Sequence, residues 1–292
     1  MKVKAVSIPA QYMALFRAIE TARPCSKRLF SDPFAASFLS RRQQWLQRAA
    51  ALPLLGTFVV QAINRRRRGA LSAGIARTKY IDELLEVSIA QGARQLIILG
   101  AGFDTRALRL DCLKNLPVIE FDLPETARFK RLALQAATGG LPEHVRYYEA
   151  DFNKQDLDEL LADKQVDTRI PTTVIWEGVT NYLTPASVNT IFRVLTRFGK
   201  GSSVIFTYID KHVLESPGMF ETGGAPPGPR SEKDEPRAFG FYPSELPHYL
   251  DLFGFTLQED TCAGEYRRLY MPERSGLHKG YGFYRVAMAA KR

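Results

Sequence analysis

Four acids fall where short apolar runs end. "VIEFDLP" carries Glu120 and Asp122, "YYEADF" carries Asp151, and "VIWEGVTNYL" carries Glu177. In a doubly wound sheet the ligand lies outside the carboxyl ends of the strands, so acids there face one cleft. Any one of them reads equally well as a solvated strand end or a helix cap. Acids closing three consecutive strands predict a ligand rich in hydroxyl and amino donors. A charged hydrogen bond to a ribose hydroxyl is worth roughly 1.5–3 kcal/mol, and Glu120 and Asp122 are both placed to make it. Asp151 lies where an adenine amino group would be, and Glu177 faces the same cleft.

The stretch "RQLIILGAGFDTRALRL", residues 94–110, supplies the loop beneath that ligand. Gly100 and Gly102 lack a Cβ, so the backbone can approach closely. A dinucleotide fingerprint requires G-x-G-x-x-G and a bare helix start under the pyrophosphate. Here Thr105 takes the third glycine's place, and Asp104 is expected to repel phosphate. The loop therefore favours a nucleoside ligand without phosphates. S-adenosylmethionine is such a ligand, with a ribose, an adenine, a sulfonium, an ammonium and a carboxylate. A dehydrogenase is disfavoured on the same grounds.

Strand-like runs at 95–99, 118–121, 145–149, 173–176, 203–208, 256–259 and 282–287 must position these groups. Helical patterns at 105–110, 125–137, 155–162 and 185–198 separate the earlier runs. This alternation predicts an α/β fold with a parallel sheet covered on both faces. No convincing long helix separates the last two runs, which suggests an antiparallel hairpin at one edge. The whole predicts the seven-stranded, doubly wound (class I) methyltransferase sheet. Residues 1–75 lie outside the alternation and read as an N-terminal helical cap on a cofactor-binding domain spanning 76–292. The Gly-, Pro- and charge-rich region around 211–245 reads as a substrate-side lid after the fifth strand.

Composition bounds the partners. The chain has 292 residues, 45% apolar and 24% charged, with a formal net charge of +9. A basic surplus favours anionic small molecules or acidic lipids; no nucleic-acid partner is expected. Three scattered cysteines and four unpaired histidines argue against a disulfide framework and a metal centre, and fit a reducing cytoplasm. The apolar stretch within 49–68 precedes Arg65–Arg68. It is shorter than the roughly 20 residues that span a bilayer, and Pro53 and Gly56 interrupt it. It reads as a buried or lid helix in preference to a membrane-surface contact.

Taken in order, "IARTKYIDELL", "LGAGFDTRALRL", "EFDLPE", "ADF" and "EGVTNYL" resemble the leucine carboxyl methyltransferase family over about residues 20–210. That family includes bacterial polyketide carboxyl methyltransferases. The resemblance implies that Arg77 holds the methionine carboxylate, with Lys27 of "CSKRLFSDPF" assisting. It implies that Gly100 packs under the methionine portion and that Asp122, in preference to Glu120, takes the ribose hydroxyls. Asp151 and the backbone of Phe152 would recognise adenine, although the family often has Leu after this Asp. Glu177 would line the methionine side.

Methyl transfer is an in-line displacement, and a carboxylate acceptor is already ionised at neutral pH. Such an acceptor needs alignment and a dry site more than it needs a base. A phenol or alcohol would need a base, for which His212 is the candidate. Tyr182 and Tyr208 are placed to orient the acceptor oxygen, and either also reads as a packing aromatic. The expectation is an S-adenosylmethionine-dependent O-methyltransferase acting on the carboxylate of a small, partly apolar, polyketide-like metabolite. Methylation of a phenol or other hydroxyl is the alternative. A non-catalytic S-adenosylmethionine-binding or membrane-peripheral module is the alternative of another class.

Overall fold

A computed structural model describes residues 7–66, 69–215, 239–272 and 280–292. Four helices come first: α1 (Ile8–Thr21), α2 (Arg41–Ala51), α3 (Pro53–Arg66) and α4 (Ala70–Ala90). The alternating part follows as β1 (Gln95–Leu99), α5 (Arg106–Arg109), β2 (Val118–Asp122), α6 (Pro124–Thr138), β3 (Val145–Glu149), α7 (Leu157–Asp163) and β4 (Thr172–Trp176). Then come α8 (Pro185–Leu195), β5 (Ser203–Ile209), α9 (His212–Glu215), α10 (Leu246–Asp251), β6 (Phe255–Cys262), α11 (Ala263–Tyr270) and β7 (Tyr284–Lys291).

The strands form one seven-stranded sheet in the order β3-β2-β1-β4-β5-β7-β6, with β7 antiparallel to both its neighbours and the other pairings parallel. Order reverses between β1 and β4, which makes that end of the sheet the ligand crevice. Both faces are covered, which explains why the central strands read as continuous apolar runs. Ile97, Leu99, Val174, Trp176, Val204 and Phe206 face one core with α7, α8 and α10. Leu96, Ile98, Ile175 and Ile205 face the other, with α4 and α11. Phe192 of α8 stands edge-on to Trp176 and Phe206 at 5.9 and 5.5 Å.

The edge differs from the expected hairpin in having α11 inside the connection. Arg267 and Arg268 hide its periodicity. Tyr266 is fully buried and stacks on Tyr80 of α4 at 6.0 Å. Arg267 turns inward as well, donating from Nε to the Ala263 carbonyl at 2.9 Å. Glu265 caps the start by accepting from the Cys262 amide at 2.7 Å.

A third core joins the N-terminal helices to the glycine loop: Phe16, Ile19, Phe38 and Phe103 lie within it, and Phe38 stacks on Phe103 at 4.5 Å. α4 runs unbroken across residue 75, so the cap and the sheet share a helix. Of the segment read as a lid, 216–238 lies outside the described residues, as do the side chains of Arg65–Arg68. Among the described residues, no helix is long and apolar enough to cross a membrane.

Candidate functional site

The loop after β1 is shaped by its glycines. Gly100 and Gly102 hold φ of +69° and +50°, which side chains rarely adopt. A Cβ on Gly100 would lie 2.3 Å from Val179 Cγ2, so the loop is also packed too closely for alanine. The amides of Gly100 and Ala101 both donate to the Phe121 carbonyl, at 2.8 and 3.0 Å, which ties the loop to β2. At the end of β2, Asp122 accepts from the Gly102 amide and from the Leu123 amide, the latter at 2.6 Å. The Ala150 amide donates to the Asp122 carbonyl at 2.7 Å, and so the end of β3 is brought alongside.

Behind the loop lies a buried chain of ions. Glu177 accepts from Arg77 Nε at 2.8 Å and from Arg106 Nη1 at 3.0 Å. Arg106 also binds Asp104, and donates to Asp82 at 2.7 Å. Asp82 in turn takes two bonds from Arg109, at 2.7 and 2.8 Å. Three arginines thus face three carboxylates, and charge balance makes the burial tolerable. Burial alone would raise the carboxyl of Asp104, but Arg106 and Lys130 outweigh it and bring it down to about 2. Burial opposes ionisation of Glu177 too, and Arg77 with Arg106 holds it below the ordinary range. Arg77 is stacked over the Tyr284 ring at 4.8 Å, and its Nη2 lies 3.2 Å from Met13 Sδ.

Asp104 was expected to repel phosphate; Arg106 neutralises it instead. The first turn after the loop is closed in another way. Thr105 is buried and donates to Asp32 Oδ2 at 2.7 Å, and Asp32 also pairs with Arg17 at 2.7 Å. Arg17 reaches the Phe103 carbonyl at 2.5 Å. The N-terminal segment is thereby tied to the first turn, and the amides of Gly102 and Arg106 are already taken, by Asp122 and Asp104. α5, at four residues, is also too short to offer an extended helix dipole.

Of the residues selected from the sequence, Arg77, Gly100, Gly102, Asp104, Asp122 and Glu177 come together at the carboxyl ends of β1, β2 and β4. Asp151 lies at the turn after β3, accepting from the Asn153 amide at 3.1 Å and pairing with Lys154 at 3.1 Å. Phe152 packs at the margin of the first core. Lys27 is exposed on a 3-10 turn (Cys25–Lys27); from "CSKRLFSDPF" it is Asp32 that reaches the loop. Tyr182 ends a 3-10 turn, Thr180–Tyr182, after β4. Tyr208 is fully buried, and its hydroxyl donates to Asp260 at 2.8 Å. Burial and then Asp260 push that phenol well above its ordinary range. His212 is half-exposed beyond β5, with Nδ1 2.7 Å from Asp210 Oδ1.

Residue reasoning passed over Arg106, Asp82 and Arg17, and gave Lys130 and Tyr147 no role. The i,i+2 spacing of Asp104 and Arg106 was the available signal for the first of these. Glu120 and Lys130 form a buried pair at 2.5 Å. Burial lifts the carboxyl of Glu120 to about 7 despite Lys130. Its second oxygen and the Tyr147 hydroxyl are buried without a hydrogen-bond partner among the described residues. With Gly102 and Asp122 these three side chains, together with Ala101, Ala127 and Tyr148, line a small opening beside the loop.

Comparison with known proteins agrees with this geometry. The family model described as leucine carboxyl methyltransferase matches residues 10–196. A Streptomyces coelicolor protein named as a candidate S-adenosyl-L-methionine-dependent methyltransferase is 31% identical over 215 residues, 73% of this chain and 72% of that protein. A Streptomyces avermitilis protein named in the same way is 30% identical over 236 residues, 80% of this chain and 76% of that protein. The crystal structure of a candidate methyltransferase from Thermobifida fusca shares the fold, with a TM-score of 0.57 at 17% identity, covering 94% of this chain and 97% of that one. The chain belongs to the leucine carboxyl methyltransferase family, and it is an S-adenosylmethionine-dependent methyltransferase.

Proposed function

We propose that the protein transfers the methyl group of S-adenosylmethionine to a carboxylate oxygen of a small, partly apolar metabolite. The observation that carries this reading is the state of the acids at the cleft. Asp104 is held at about 2 and Glu177 below its ordinary range by arginines, so neither is a base for a hydroxyl acceptor, and Glu120, although lifted to about 7, is buried against Lys130. Tyr208 has its hydroxyl committed to Asp260. A carboxylate acceptor loses no proton and requires none of them.

The residues present fit the cofactor. The glycine loop admits close backbone approach, and Asp122 stands at its rim as an acceptor for vicinal hydroxyls. Glu120 and Tyr147, each with a buried oxygen that lacks a hydrogen-bond partner among the described residues, line the adjoining opening. Arg77 would hold the methionine carboxylate and Glu177 the ammonium, while Gly100 lies beneath and Asp151 with the Phe152 backbone meets adenine. Lys27 would assist Arg77 only by moving from its exposed turn. When bound, the cofactor supplies an electrophilic sulfonium methyl. The chain's own part is to align the two reactants and exclude water, which is where effective molarities of roughly 10⁵–10⁸ M arise.

The 2.7 Å contact between His212 and Asp210 favours a second reading. An oriented imidazole beyond β5 is the group that a phenol or alcohol acceptor would use. Transfer from labelled cofactor to a panel of acids and phenols separates the two. The carboxylate reading expects base-labile ester products and an unchanged rate in His212→Gln. Base-stable products, with a loss on the order of 10²-fold or more in that variant, would establish the hydroxyl reading instead.

A further inference from the structure

The net charge of the chain has a location. Between Pro33 and Ile81 there are nine basic residues (Arg41, Arg42, Arg48, Arg65–Arg68, Arg77 and Lys79) and no acid. The chain has 40 Lys and Arg against 31 Asp and Glu, so the remainder is neutral and this segment holds the whole surplus of +9. Arg77 and Lys79 are paired, with Glu177 and Glu83. The other seven arginines belong to α2, α3 and the two residues after α3.

The same hairpin exposes four large apolar side chains close together in the chain. Trp45 is 66% exposed, Leu52 51%, Leu55 49% and Phe58 70%. Their spacing is regular: Arg41, Trp45 and Arg48 recur on one face of α2, Leu52 caps its end, and Leu55 and Phe58 share one face of α3. The opposite sides, with Ala50, Val60 and Ile63, pack on the third core. Both exposed faces therefore look away from the protein. The two helices are held close at their turn, where a Cβ on Gly56 would lie 2.4 Å from the Ala50 carbonyl oxygen. The result is a braced helical hairpin that exposes a Trp, a Phe and two Leu, with Arg41 and Arg48 on the same face of α2 as the Trp.

We propose that this hairpin docks the protein on an anionic lipid surface, with Trp45, Leu52, Leu55 and Phe58 entering the headgroup layer. Charge complementarity selects this occupant. An acidic bilayer attracts a segment that has no acid of its own, and the apolar side chains gain a region they can enter. A second copy of the chain would bring the same arginines face to face. Neither helix spans the bilayer; the contact is peripheral. The inference is independent of which acceptor is methylated.

Trp45 provides the readout, because the protein's other tryptophan, Trp176, is fully buried. The full-length protein is titrated with vesicles of phosphatidylcholine alone, and with vesicles containing phosphatidylglycerol. Emission is expected to shift to the blue and lose acrylamide quenching with the anionic vesicles only, and the effect should reverse in high salt. Arg48→Glu is expected to weaken partitioning about fivefold or more. Phe58→Asp should weaken it further, while both variants keep the wild-type melting temperature and its rise with S-adenosylmethionine. Absence of any shift, or equal binding to neutral vesicles, would overturn the proposal. So would a concentration-dependent dimer that Phe58→Asp converts to monomer, since the face would then belong to a second copy.

Discussion

Carboxylates at the cleft differ in what holds them, and the difference sorts their roles. Asp104 and Glu177 lie against arginines and have their charge cancelled locally. Asp122 accepts from the backbone amides of Gly102 and Leu123 and stands at the rim of the opening. A ribose diol suits such an acceptor. Asp122→Ala should therefore remove most of the rise in melting temperature that S-adenosylmethionine produces. A ligand at about 100 times its Kd stabilises by about 2.7 kcal/mol, so the signal is large enough to lose. Thermal scans with and without cofactor measure it, and an undiminished shift would move the ribose contact elsewhere. NAD should produce no shift in either protein, given that the amides of Gly102 and Arg106 are already taken by Asp122 and Asp104.

At the scale of elements, the loop between β1 and α5 is the most constrained piece of chain. Gly100→Ala meets two penalties, a positive φ and a clash with Val179 Cγ2. Its expected cost is about 1–3 kcal/mol, together with loss of cofactor binding. Val179→Ala removes the clash and leaves the strained φ, so the double variant should recover part of the stability; urea titrations of the three variants decide this. Full recovery would mean that the backbone angle costs nothing. Strand positions were legible because Leu96–Leu99 or Thr173–Trp176 are buried on both faces and read as unbroken apolar runs. Helix α11 was not, since an inward-turned Arg267 breaks its pattern. Asp122 and Glu177 were legible as acids at strand ends. The cancellation of Asp104 was not, because an ion pair depends on where Arg106 folds back, and local spacing records this only weakly. Lys27 was named from "CSKRLFSDPF" and Asp32 was not, for a related reason: nothing in that stretch says which polar side chain the turn directs inward.

The molecule as a whole depends on that buried ionic chain, which links α4, the glycine loop and β4, while Arg17 and Asp32 tie α1 to the same loop. Its contribution depends on pH with a definite sign. The carboxyl of Asp104 lies near 2 in the folded protein, below its unfolded value near 4. The stability it adds is present above about pH 4 and is lost as pH falls towards 2. Asp104→Asn should therefore cost about 2 kcal/mol at pH 7 and progressively less below pH 4. Urea unfolding at pH 7 and pH 3 tests this; an equal loss at both would show that the charge is not what matters. The sheet order has a consequence of another kind. β7 follows β6 in the chain yet lies between β5 and β6. As the polypeptide is made, β6 emerges with nothing to pair with, and β5 presents an open edge. Both wait for Tyr284–Lys291, whose arrival joins the two at once. Of the seven strands of this sheet the last to be synthesised is thus the one that closes it, and until it arrives a nascent chain carries unpaired edges of the kind that invite aggregation.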